Sequence, residues 1–127
     1  MFNHVFVGSD DLQRSKVFYD AIFATVGIKP GALDSTGKRL IYTRRSGIFI
    51  VTRPNNGQPA QPANGGTLTM LVESPDVVDA WHAAGVANGG TTCESPPGLR
   101  PATGLYQAYL RDPDGNKLGA YYKPKDA

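Results

Sequence analysis

The chain has 127 residues, 40% of them apolar and 19% charged, which excludes a disordered or fibrous polymer and fits one globular domain burying about two thirds of its unfolded surface. Thirteen Lys and Arg against eleven Asp and Glu leave a net charge of +2, too small to draw nucleic acid or an anionic membrane as general partners. The single cysteine, Cys93, closes no internal disulfide, and the opening stretch to Val7 runs into Ser9-Asp10-Asp11 instead of an apolar secretory core. A soluble protein of the reducing cytoplasm is therefore expected.

Apolar runs such as Ile48 to Val51 fall far short of the roughly 20 residues that cross a bilayer. Fifteen Gly and ten Pro imply many turns, and so short strands joined by hairpins rather than a helix bundle. His4 to Gly8 alternates as a strand. Ser9-Asp10 then offers caps to a helix with Asp11 in its first turn, and Leu12, Ser15, Tyr19, Ile22, Phe23 and Val26 recur at helical spacing up to Gly27. A short strand is placed near Ile28 to Leu33. Arg39 to Thr43 and Ile48 to Thr52 read as a hairpin turning at Arg44-Arg45-Ser46-Gly47.

Residues 53–66 (RPNNGQPAQPANGG) lack apolar periodicity and are dense in Pro, Asn and Gly, the mark of a connection between halves. Thr67 to Val72 then alternates as a strand, and Ser74-Pro75-Asp76 caps a helix over Val77 to Ala87. Leu105 to Arg111 and Lys117 to Tyr122 flank the turn Asp112-Pro113-Asp114-Gly115-Asn116 as a second hairpin. The order of the first half thus returns in the second, with His4 and Thr67 at matching positions. This predicts an α+β domain of two βαβββ modules, module one 1–53, a linker 54–66 and module two 67–127.

Alternate strand residues face opposite sides. Leu68, Met70 and Val72 are expected on the helix side with Val5 and Val7, leaving His4, Phe6, Thr67, Thr69 and Leu71 on the other. Counting outward from the hairpin turns pairs Tyr42 with Phe49 and Tyr109 with Gly119, and all four are assigned to that second, concave face.

The opening HVFVGSDDLQRSKVFYDAIF, the closing YLRDPDGNKLGAYYK and VDAWHAAGVANGG between them resemble the vicinal oxygen chelate superfamily, which includes glyoxalase I, extradiol dioxygenases and bleomycin resistance proteins. The resemblance spans nearly the whole chain. It implies two βαβββ modules forming a curved, largely antiparallel mixed sheet around a cleft, in which a divalent metal holds two adjacent substrate oxygens. It also implies a homodimer. Metal ligands in such enzymes come from the first strand of each module and from last strands, positions that fall here on His4, Thr67, Gly119 and Phe49. That set holds one imidazole, whereas zinc or a transition metal needs about three protein donors. No resident metal or cofactor is expected, with His4 the sole retained candidate ligand.

His4 has three readings: a strand histidine hydrogen-bonded beside the cleft, a metal ligand, or a catalytic acid or base with a suitable pKa. The ligand-binding residues expected are His4, Phe6, Tyr42, Phe49, Thr67, Thr69, Tyr109 and Gly119, with Gly119 leaving room beside Tyr109 for a planar group. No acid lies between Ser35 and Val72, while Lys38, Arg39, Arg44, Arg45 and Arg53 do; most of these are expected to solvate hairpin ends, with Arg39 or Arg53 reaching the cleft mouth, which favours an anionic ligand and disfavours a cationic drug. The function expected is binding or sequestration of a small organic molecule, aromatic or anionic, over a degenerate metal site. The alternatives are a metal-dependent lyase, isomerase or dioxygenase using His4, and a metal-free acid/base enzyme using His4 and Tyr109.

Overall fold

The first half opens with β1 (His4–Gly8), and α1 (Leu12–Ala24) begins where Asp11, in extended conformation, accepts a hydrogen bond from the Arg14 amide. Asp11 is thus itself the cap, one position beyond the expected pair, and satisfies an amide left without an intrahelical partner. The structure, a computed structural model, describes residues 1–45 and 47–125. Then follow β2 (Ala32–Leu33), β3 (Arg39–Arg44) and β4 (Gly47–Thr52). Ser46, within the expected hairpin turn, lies outside the described residues.

The second half repeats the order with β5 (Thr67–Leu71), α2 (Pro75–Ala87), β6 (Thr91–Arg100), β7 (Leu105–Arg111) and β8 (Lys117–Tyr122). Ser74 caps α2 by accepting from the Val77 amide, with Pro75 opening the helix. Each half forms its own four-stranded sheet, ordered β1-β4-β3-β2 and β5-β8-β7-β6. The first and last strands of each half run parallel, and the remaining pairs are antiparallel. The expected α+β architecture with two βαβββ units is present, as two open sheets rather than one continuous sheet. Among the described residues no helix is long and apolar enough to cross a membrane.

Both helices enter one core. Buried Tyr19 and Phe23 of α1 pack on the first sheet through Tyr42 and Phe49. Phe18 and Ile22 turn instead toward α2, where they and Leu110 close on Gly85 so tightly that no Cβ fits. Trp81, Val78, Leu110, Leu118 and Ala120 complete the core on the side of the second sheet.

The turn between β7 and β8 docks the second half on the first. The Tyr19 hydroxyl donates to buried Asp112, which also accepts from the Asn116 side chain and from the Asn116 and Asp114 amides. Asn116 Nδ2 donates to the Gly8 carbonyl at 2.9 Å, and Asp114 pairs with Arg14 at 2.9 Å. Burial pushes the Asp112 carboxyl up in spite of these donors, and burial with the Asp112 charge holds the Tyr19 hydroxyl neutral. The turn is therefore a buried polar joint with its acceptors occupied.

Candidate functional site

Strand parity divides each sheet into a face under its helix and a face away from it. In the second sheet Leu68, Leu118 and Leu110 lie at matching register on the helix side, and Thr69, Gly119 and Tyr109 at matching register on the other. In the first sheet the register Phe6↔Ile50↔Ile41 sets the outer row, beside His4↔Ile48. His4, Phe6, Thr67, Thr69 and Tyr109 thus lie on the expected faces.

Tyr42 and Phe49 do not. The Tyr42 ring is 2% exposed, its hydroxyl donates to Asp20 at 2.6 Å, and both rings pack against Tyr19 and Phe23 under α1. The reason is register: Val5 pairs with Phe49 across the parallel β1 and β4, so Phe49 shares the helix side with Val5. Counting from the hairpin turn paired Tyr42 with Phe49 correctly but placed the pair on the wrong face. Their places on the outer face are taken by Ile41, Ile48 and Ile50, which carry no metal donor.

Gly119 also differs from expectation. A Cβ built there would lie 2.9 Å from Thr69 Cγ2 and 2.9 Å from Tyr109 Cε1, so the space freed by the glycine is filled by these two side chains and not kept for a planar ligand. The Tyr109 and Tyr121 hydroxyls are hydrogen-bonded to each other. Lys117 Nζ stands 4.7 Å from the Tyr109 ring centroid and pairs with Glu94 at 2.8 Å. Burial and the Tyr121 bond push the Tyr109 hydroxyl up to about 12, so it is a neutral donor at ordinary pH and not a base.

His4 is exposed, with Nδ1 2.7 Å from the side-chain nitrogen of Asn3. Its ring meets Phe6 edge-on at 5.2 Å, and the Arg39 guanidinium lies 5.2 Å from the Phe6 centroid. Lys117 and Tyr121 are site residues that sequence reasoning did not select, whereas Arg39 is one of the two arginines, with Arg53, expected at the cleft mouth. Arg39 stood within the noted acid-free basic stretch, and strand parity places Lys117 and Tyr121 in the row of Gly119.

The edge strands β1 and β5 border a seam between the two sheets. A hollow of about 320 Å³ opens there, with Phe6 and Thr67 in its walls together with Gln61, Asn116 and Lys117. It joins the His4–Phe6–Arg39 group to the Lys117–Tyr109–Tyr121 group through Phe6 and Lys117. Its size is near the lower end of the roughly 300–1,000 Å³ typical of ligand sites. The four positions that would carry a metal offer the His4 imidazole, a threonine hydroxyl, a glycine with no space for a longer side chain, and a phenyl ring turned under α1. No group of three or more His, Cys, Asp and Glu side chains able to hold an ion occurs among the described residues. The donor set does not fit a chelated metal.

A family model described as the glyoxalase/bleomycin resistance protein/dioxygenase superfamily matches residues 1–119, and the chain belongs to that superfamily. Its structure is similar to that of a glyoxalase/bleomycin resistance protein from Albidiferax ferrireducens T118, with 55% identity, 96% of this chain and 98% of that one covered, and a TM-score of 0.91. It shares its fold with a glyoxalase-related enzyme from Fulvimarina pelagi at 22% identity, with 98% and 88% covered and a TM-score of 0.78. A lactoylglutathione lyase from Agrobacterium tumefaciens also shares the fold, at 22% identity with 96% and 92% covered and a TM-score of 0.67. Among curated proteins none matches the chain.

Proposed function

We propose that the protein binds or sequesters a small aromatic or anionic organic molecule at the seam between β1 and β5, without a resident metal. The observation that carries this reading is the poverty of donors on the outer faces, where His4 stands among Thr67, Gly119, Ile48 and Ile50. What these faces supply instead is the Phe6 ring for stacking, hydroxyls of Thr67, Tyr109 and Tyr121 for hydrogen bonding, and the cations Arg39 and Lys117 for a carboxylate or phosphate. Arg39 has no carboxylate partner among the described residues, so an anionic ligand neutralises it. The ligand touches neither nucleic acid nor membrane chemistry, and the working unit is a two-fold dimer in the cytoplasm.

A panel of aromatic carboxylates screened by thermal shift tests the reading. A true ligand gains about 2.7 kcal/mol at a hundredfold excess over its dissociation constant. The shift is expected to be the same with and without EDTA and to shrink in Arg39→Ala. The rival reading is a lyase, isomerase or dioxygenase using His4, favoured by the exposure of that residue and by the lyase among the fold neighbours. Protein purified without chelator that carries stoichiometric zinc, nickel, iron or manganese, lost in His4→Ala, would replace the proposal with that rival. Turnover that survives chelation would favour His4 as a metal-free acid or base, since Tyr109 holds its proton too tightly for the second role.

A further inference from the structure

On the helix side of the same seam a second and larger hollow, about 670 Å³, opens between the modules. It meets the smaller hollow at Thr67 and Leu68 and reaches the outer rows at Ile48, Thr69 and Leu71, but neither His4 nor Tyr109 lines it. Val26 and Ile28, just beyond the end of α1, form one wall, with Phe49 from the first sheet and Leu68, Met70 and Leu118 from the second. Because α1 stops at Ala24, its last turn leaves this end of the two sheets uncovered. Leu71 at the edge is 77% exposed and Phe2 equally so, an apolar surface that water alone covers at a cost.

The hollow has one charged group in its wall, Arg44. Its guanidinium donates to the Val26 carbonyl, which holds it at the wall, and it has no carboxylate within ion-pair reach among the described residues. Glu73 lines the adjoining hollow, which Arg44, Val26 and Leu71 share, without pairing to it. A pinned cation with donors to spare beside an apolar, largely aliphatic wall calls for a ligand that is apolar along its body and carries a single negative charge at one end. The rings of Phe2, Phe23, Tyr42 and Phe49 belong to the wall, but aliphatic side chains outnumber them, Val26, Ile28, Leu68, Met70 and Leu118 among them, and these follow a flexible alkyl chain better than a rigid plane.

We infer that this groove binds a medium-chain or long-chain monocarboxylate, its alkyl chain between Val26, Phe49, Met70 and Leu118 and its carboxylate on Arg44. Burying methylenes in such a groove raises affinity about fourfold for each one added, until the groove is full.

Isothermal titration of the intact protein with octanoate, decanoate and dodecanoate, each kept below its micelle concentration, tests the inference, with decanol and decyltrimethylammonium as neutral and cationic controls. Saturable one-to-one binding that strengthens with chain length and ranks carboxylate over alcohol over ammonium is expected. Arg44 is exposed, so Arg44→Glu leaves the fold intact. It should weaken dodecanoate about tenfold and strengthen the ammonium while leaving decanol unchanged. Met70→Trp, its folding checked by circular dichroism, should block all three. Absence of saturable binding, equal affinity for the three head groups, or dodecanoate binding untouched by both substitutions would overturn it. So would light scattering that finds a dimer dissociated by Leu71→Asp and undisturbed by dodecanoate, since the groove would then belong to a contact between copies.

Discussion

Gly119 lies between Thr69 and Tyr109 in the register of three adjacent strands, and both neighbours lean over the place where its Cβ would stand. Gly119→Ala therefore overpacks the outer face and is expected to cost about 1–3 kcal/mol, measured by urea denaturation. Had the glycine left an empty seat, the added methyl would be neutral or mildly stabilising, because it restricts the unfolded chain. Asp20 gives a pH-dependent prediction. Burial pushes its carboxyl up, but hydrogen bonds from Lys16, Tyr42 and the Gly31 amide outweigh burial, and the net pKa is lowered. A lowered folded value stabilises the fold above the unfolded carboxylate value of about 3.9 and is lost as the pH falls through the folded one. Asp20→Asn should accordingly destabilise most at pH 7, and the gap in denaturation midpoint between it and the parent protein should narrow below pH 4. Tyr42 explains why part of the site could not be read from sequence. Its alternation with neighbours was legible, but which of two faces a strand buries depends on the register with a distant strand, and nothing local in Arg39 to Thr52 encodes that Phe49 lies beside Val5.

At the level of elements, caps and periodicity made most of the molecule legible. Ser74-Pro75 starts α2, and the hairpin flanking Asp112 to Asn116 has the expected ends. The element not recognised was β6, whose sequence TTCESPPGLR carries turn residues through its middle. It persists as a strand because it is the edge of its sheet, where Pro is tolerated, and because its pairing with β7 shifts register between Cys93 and Gly98, with Glu94 at φ 60°. The β7–β8 turn, by contrast, was legible as a turn but not as a joint between halves, since its partners Tyr19 and Gly8 lie about a hundred residues away. Removing the joint's central acceptor has a definite cost. Asp112→Ala strands the Tyr19 hydroxyl and two backbone amides and leaves Asn116 Nδ2 only its bond to the Gly8 carbonyl, and should lower stability by about 3 kcal/mol. Tyr19→Phe, which removes one donor and leaves the carboxylate its other three, should cost less by the same urea measurement.

For the molecule as a whole, the joint and the packing of Phe18 and Ile22 against Gly85 mean that neither half owns a complete core. Each sheet has its own hydrogen bonds, yet α1 packs Tyr19 on Tyr42 in the first half and Phe18 and Ile22 on Gly85 of α2 in the second. Two modules related by sequence order need not unfold as two units, and here the shared helix layer couples them into one transition. Trp81, the sole tryptophan, is fully buried in the second half, so its fluorescence reports that half, whereas far-UV circular dichroism reports both. The two signals are expected to give the same urea midpoint and slope. Asp112→Ala should shift both together, because loss of the joint weakens the layer on which both sheets rest. A fluorescence transition separated from the dichroism transition would mean that the halves fold independently. The seam that hosts both proposed sites would then be a mobile contact, and ligands bound across it would draw the two transitions together.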